Sequence, residues 1–164
     1  MHVLLTGQVQ VGKTTALTRF LEKFGVTADG YRTYWRDCDI LLIAPYGLPD
    51  GAIVAATTKE NGQRSPVLEA FDVFGAELVE NSGKKDIIVF DELGRLETGA
   101  VHFTSAVLKK FDGNIPILGV IKPEHNSFLD SIRSKPNVKV IEVTTANRDS
   151  VPDLIAEYLD VKSR

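Results

Sequence analysis

The sequence predicts an α/β fold: a three-layer sandwich with a mainly parallel central sheet and an antiparallel hairpin addition. Three observations carry this. At both ends of the chain, short apolar runs alternate with segments whose apolar residues recur at helical spacing, the pattern of crossovers between parallel strands covered on both faces. Between them, residues 30–58 turn aromatic and β-branched and are broken by polar turns, which reads as antiparallel strands. Finally, 164 residues that are 43% hydrophobic and 25% charged suffice for one compact core, so residues 1–164 are expected to form a single domain.

The elements follow in order. Residues 2–5 are an apolar run ending at Gly7, and Leu17, Phe20, Leu21 and Phe24 then mark a helix over 13–24 that stops at Gly25. Strands are expected at 31–35, 40–44 and 53–58, separated by Asp37-Cys38-Asp39 and by 46–51. Phe71, Phe74, Leu78 and Val79 predict a helix ending near Asn81-Ser82-Gly83, and 87–90 is a continuous apolar run suited to a buried parallel strand. Helices over 99–111, 127–133 and 149–159 alternate with strands at 117–121 and 138–143. Lys162-Ser163-Arg164 is a short polar tail, and no internal repeat or linker interrupts the chain.

Composition excludes several classes. Nineteen Lys and Arg against 22 Asp and Glu give a net charge of −3, which argues against a nucleic-acid backbone or an anionic membrane as the main partner. The single cysteine, Cys38, leaves no intramolecular disulfide, and no apolar run reaches the ~18 residues of a membrane span. The start Met-His-Val-Leu-Leu-Thr-Gly lacks a basic n-region, so the cytoplasm is the expected location.

Two segments carry chemistry. Gly7-Gln8-Val9-Gln10-Val11-Gly12-Lys13-Thr14 matches G-x-x-x-x-G-K-[ST] and lies between a predicted strand and a predicted helix, as a P-loop requires. Random ordering of this composition would yield the motif in roughly 1 chain in 100. Its glycines let successive N–H groups face phosphate oxygens, and the following helix adds the positive end of its dipole. Lys13 is expected to reach the β- and γ-phosphates, and the Thr14 hydroxyl to ligate Mg²⁺, with residues 7–15 through Thr15 lining the nucleotide. Gln10 stands where many P-loops carry a second glycine, so unusual backbone angles there would strain or reshape the loop. The second segment, Ile87-Ile88-Val89-Phe90-Asp91-Glu92, has the shape of a Walker B strand. Asp91 is expected to hold Mg²⁺ from the strand neighbouring the P-loop strand, and Glu92 to accept a proton from the attacking water or to orient it.

Together with DELGRLE at 91–97 followed by Phe103, GVIK at 119–122 and TANRD at 145–149, the opening GQVQVGKTT resembles the THEP1-type nucleoside-triphosphatases, a P-loop family with a RecA-like core. The match runs in order over nearly the whole chain, and the aromatic strand from Gly30 to Tyr34 also looks like the family's. The resemblance implies Mg²⁺-dependent hydrolysis of ATP, GTP and other nucleoside triphosphates to diphosphate and phosphate, with broad base tolerance.

Other residues admit two readings each. Arg95 is either a cis arginine finger for the γ-phosphate or a surface cation paired with Glu92 or Glu97, and Glu97 is equally a helix N-terminal acid. Asn147 and Arg148 either contact base or ribose, or Asn147 caps the last helix and Arg148 is solvated. Lys122 either senses phosphate or sits on the rim, and Tyr31, Tyr34 and Trp35 either stack a base or pack as hairpin aromatics. His2, His102 and His125 lack metal-ligand spacing and read as structural.

The leading expectation is therefore a nucleoside-triphosphatase with Mg²⁺ as cofactor and Glu92, Lys13 and Arg95 at its catalytic centre. A small nucleotide or nucleoside kinase shares the P-loop but needs an acceptor site and an Arg-rich lid, and the middle region has only Arg32, Arg36 and Arg64. A slow nucleotide-dependent binding switch is the third possibility. No Asn-Lys-x-Asp guanine reader and no Ser-Gly-Gly signature occurs.

Overall fold

The computed structural model describes residues 1–161, apart from the side chain of Pro49; the tail Lys162-Ser163-Arg164 lies outside the described residues. Strands β1 (His2–Thr6), β2 (Ala28–Arg36), β3 (Ile40–Pro45), β4 (Ile53–Thr58), β5 (Arg64–Pro66), β6 (Ile87–Leu93), β7 (Ile117–Ile121) and β8 (Val138–Glu142) form one sheet in the order β5-β4-β3-β2-β6-β7-β1-β8. β2, β6, β7, β1 and β8 run parallel, and β3, β4 and β5 extend the sheet antiparallel from the β2 side. Two expectations change here. The aromatic strand β2 belongs to the parallel core, pairing with β6 from Ala28↔Ile87 to Arg32↔Asp91. β6 does not neighbour the P-loop strand, because β7 pairs with both and lies between them.

Two helical layers cover the sheet, because alternate residues of each buried strand face opposite ways. Val3 and Leu5 of β1 pack with Leu17 and Phe20 of α1 (Lys13–Phe24), while Leu4, one residue away, joins the opposite core. Val151 and Ile155 of α5 (Val151–Leu159) complete the first layer. The second layer holds α2 (Ala76–Glu80), α3 (Val101–Phe111) and α4 (Ser127–Arg133) over Tyr31, Ile43, Phe90 and Ile121. α2 continues a wide π-type helical turn over Ala70–Gly75, which buries Phe71 against the edge of Phe103, ring centroids 5.5 Å apart.

Tyr31 belongs to this core, fully buried and stacked on Phe90 at 5.3 Å. His2 is structural: its Nδ1 accepts from the Ile117 N–H at 3.1 Å, which leaves Nε2 to donate to the Phe111 carbonyl at 3.1 Å. Burial holds its pKa below the usual histidine value. Among the described residues no helix is long and apolar enough to cross a membrane.

Candidate active site

The loop between β1 and α1 and the carboxyl end of β6 meet above the sheet. At Gly7 the backbone has φ +137°, and a Cβ there would lie 2.5 Å from the Val143 carbonyl oxygen, so only glycine lets the loop leave β1 over β8. Lys13, buried at the start of α1, folds its ammonium back to donate to the carbonyls of Gly7 at 2.9 Å and Gln8 at 2.6 Å. Burial lowers the Lys13 pKa, and the nearby Glu92 carboxylate partly restores it. Gln10 occupies the left-handed region at φ +60°, the strained geometry its position suggested.

The Thr14 hydroxyl donates toward Asp91 at 3.3 Å to Oδ1, joining residues 77 apart in sequence. Asp91 is 4% exposed, and burial pushes its pKa up to about 6, helped by Glu92 and opposed by Arg32, Thr14 and Lys13. Between Asp91↔Val120 and Leu93↔Ile121 the β6–β7 register shifts, so Glu92 is the extra residue of a β-bulge. The bulge resets the alternation: Leu93 enters the core beside Phe90 instead of following Asp91, and Glu92 turns into the cleft. There Lys122 Nζ lies 3.2 Å from Glu92 Oε1, with both side chains about a quarter exposed.

The resulting cleft, about 340 Å³, is lined by Val9, Gln10, Gly12, Lys13, Thr14, Thr15, Thr33, Trp35, Asp91, Glu92, Val120 and Lys122. A second hollow of about 300 Å³ continues past Gln10, Gly12 and Thr15 to Ala16, Arg19, Arg148 and Asp149. A third, about 40 Å³, shares Thr33, Trp35, Glu92 and Lys122 with the cleft and is lined also by Arg64, Arg95 and Glu97. The Thr14 hydroxyl and the Asp91 carboxylate are hard oxygen donors suited to Mg²⁺, which keeps several waters and phosphate oxygens as its other ligands. Among the described residues no group of three or more His, Cys, Asp and Glu could hold a metal.

The sequence profile of a family described as NTPase matches residues 51–156. The chain belongs to this NTPase family. Over 172 residues it is 28% identical to the nucleoside-triphosphatase THEP1 of Natranaerobius thermophilus, covering 97% of this chain and 96% of that protein. The crystal structure of THEP1 from the hyperthermophile Aquifex aeolicus shares the fold at TM-score 0.80 and 22% identity, over 98% of this chain and 99% of that one. The solution structure of a human cancer-related nucleoside triphosphatase superposes at TM-score 0.76 with 25% identity, over 98% of each chain.

In this NTPase family member several side chains differ from the sequence reading. Arg95 pairs with neither Glu92 nor Glu97: it reaches Glu124 at 3.9 Å with 60% of its side chain exposed, and Lys122 takes the place beside Glu92. Glu97 is not a helix N-terminal acid; it is 4% exposed in the loop after β6, where it accepts from the Gly94 N–H. Burial raises its pKa to about 7, its backbone hydrogen bonds pull it down, and Glu92 and Glu124 add to the rise.

The Asn147 side chain is used within its own loop. Oδ1 accepts from the Thr144 N–H and Nδ2 donates to the Glu142 carbonyl, each at 2.8 Å, so it does not turn toward the cleft, and α5 begins only at Val151. Arg148 does border the hollow beside Gly12.

Sequence reasoning missed Lys122 as the partner of Glu92, as well as Thr33 and Arg64 as lining residues. For Lys122 the available signal was its position directly after the apolar run Ile117–Ile121, at the carboxyl end of a predicted strand.

Proposed function

We propose that residues 1–164 form a single-domain, Mg²⁺-dependent nucleoside-triphosphatase that hydrolyses ATP, GTP and other nucleoside triphosphates to diphosphate and phosphate. The carrying observation is the convergence of Lys13, Thr14, Asp91 and Glu92 from two sequence-distant segments on one cleft. In this reading the backbone N–H groups of residues 7–15 and Lys13 cradle the phosphates, releasing the Lys13 ammonium from the Gly7 and Gln8 carbonyls. Thr14 and Asp91 would hold Mg²⁺, which would supply positive charge to offset that of the phosphates. Glu92, on its bulge, takes a proton from the water that attacks the γ-phosphorus, and the nucleoside diphosphate leaves with the β–γ bridging oxygen.

The hollow beside Arg148 suits ribose and base. A guanidinium plane stacks on any base, and the Asn147 amide that could read one is already satisfied, which supports broad base tolerance. Phosphoryl transfer to a second nucleotide fits less well: the third hollow, about 40 Å³, holds only one or two waters, against the several hundred Å³ of a small-molecule site. The proposed ligand is the nucleoside triphosphate, with no nucleic acid or membrane as partner, and the proposed location is the cytoplasm.

Free phosphate and phosphorylated acceptor are measured together with ATP, GTP, CTP and UTP, with Mg²⁺ and with a chelator. Phosphate release from all four, lost with the chelator, is expected. Faster transfer to an added nucleoside or nucleoside monophosphate than to water would instead make the protein a kinase.

A further inference from the structure

Three cations line the small third hollow: Arg64, Arg95 and Lys122. Lys122 is paired with Glu92 and Arg95 with Glu124. Among the described residues no carboxylate pairs with Arg64. Its guanidinium instead lies over the Trp35 ring, Cζ 4.2 Å from the centroid. Trp35 lines both this hollow and the cleft of Lys13 and Asp91, so the stack stands at the junction of the two. A cation–π contact orients the guanidinium plane without consuming its N–H donors.

The backbone suits a residue that approaches a ligand. Arg64 opens β5, a three-residue edge strand paired only with β4, directly after a turn closed by Lys59 N–H to the Gln63 carbonyl and Gly62 N–H to the Lys59 carbonyl. The pairing of β5 with β4 spans three residues, Thr58↔Arg64 to Ala56↔Pro66. Arg64 and Glu92 both line this hollow, whose about 40 Å³ has room for only one or two waters.

We propose that Arg64, positioned by Trp35, is the cation that contacts the γ-phosphate while it passes to water. The proposal rests on the nucleoside-triphosphatase reading above. In the step, the water oxygen forms a bond to the γ-phosphorus and its proton passes to Glu92. The bond from that phosphorus to the β–γ bridging oxygen breaks, and the electron pair leaves on the diphosphate. Charge spread over the γ-phosphoryl oxygens then meets the guanidinium donors, which act in the transition state more than in the ground state. Arg64 is thus the catalytic cation and Trp35 a positioning residue.

The test uses Arg64→Ala, Arg64→Lys and Trp35→Leu in the full chain. Arginine fingers are worth about 10³–10⁵ in kcat; with Lys13 and Lys122 still in place, Arg64→Ala is expected to lower kcat by at least about 100-fold, with KM within about 3-fold. Arg64→Lys does not restore the rate, because it lacks the planar fork. Trp35→Leu lowers kcat by less, again with KM preserved.

Trp35 is the single tryptophan, so its fluorescence reports the stack directly. A non-hydrolysable triphosphate analogue changes the emission, a diphosphate does not, and the change is absent in Arg64→Ala. A kcat for Arg64→Ala within about 2-fold of wild type, or equal fluorescence responses to triphosphate and diphosphate, overturns the assignment. If the wild type releases no phosphate the hydrolase reading fails and the catalytic role of Arg64 with it, whereas the fluorescence difference still decides whether Arg64 meets a bound γ-phosphate.

Discussion

Glu97 gives the fold a pH dependence that a single substitution removes. Its carboxyl is 4% exposed and its pKa rises from an ordinary 4.5 to about 7, chiefly through burial. Below pH 4.5 the folded and unfolded chains both hold this proton, and its stabilising contribution is complete. Between 4.5 and about 7 the unfolded chain releases the proton while the folded chain keeps it, so stability falls as pH rises; above about 7 the contribution is gone. At about 1.36 kcal/mol per pKa unit the decline amounts to about 3 kcal/mol. Glu97→Gln keeps a carbonyl to accept from the Gly94 N–H but binds no proton, so it removes this slope. Asp91, also raised, slopes the same way in both proteins and cancels from the difference. Urea unfolding of wild type and Glu97→Gln at pH 5 and pH 8 measures most of the effect: the wild type is expected to lose about 2.5 kcal/mol more across the interval than the variant. Equal losses in the two proteins would refute the argument.

Other perturbations separate structural from functional roles. Gly30→Ala puts a Cβ 2.1 Å from the Val89 carbonyl oxygen at φ +117°, inside the β2–β6 pairing; a loss of about 3 kcal/mol or more is expected in urea melts, and a change below about 1 would contradict the close approach. Lys13→Ala removes the ammonium of the P-loop, and calorimetric titration with a triphosphate is expected to show affinity about 100-fold weaker. Lys122→Ala breaks a partly exposed ion pair, so stability changes by less than about 1 kcal/mol, while kcat falls about tenfold or more as the cation beside Glu92 is lost.

Local features of the chain were readable where one segment carries its own signal. The helix over Lys13–Phe24 has Leu17, Phe20 and Phe24 on one face between Gly12 and Gly25, and both glycines cap it in the left-handed region. The parallel strands read as apolar runs because both their faces are buried, as in Ile117–Ile121. The P-loop is contiguous, so its residues came as a set.

What depends on distant pairing did not come through. Nothing near Ile87 says that β7 intervenes before β1, and nothing near Asp91 announces the bulge, since both arise from register between strands. β5 was missed because Arg64-Ser65-Pro66 is too short for alternation and ends in proline, which only an edge tolerates. Lys122 and Arg64 reach Glu92's surroundings through sheet order, and Asn147, polar and beside a strand end, spends its amide on its own turn.

The most direct test of the account is Glu92→Gln assayed for both triphosphate binding and single-turnover phosphate release. The amide keeps the shape of the carboxylate but cannot take the proton from water, so binding is expected to stay within about 3-fold while release slows by at least about 100-fold. Release at the wild-type rate would contradict the role given to Glu92 and to the bulge that aims it.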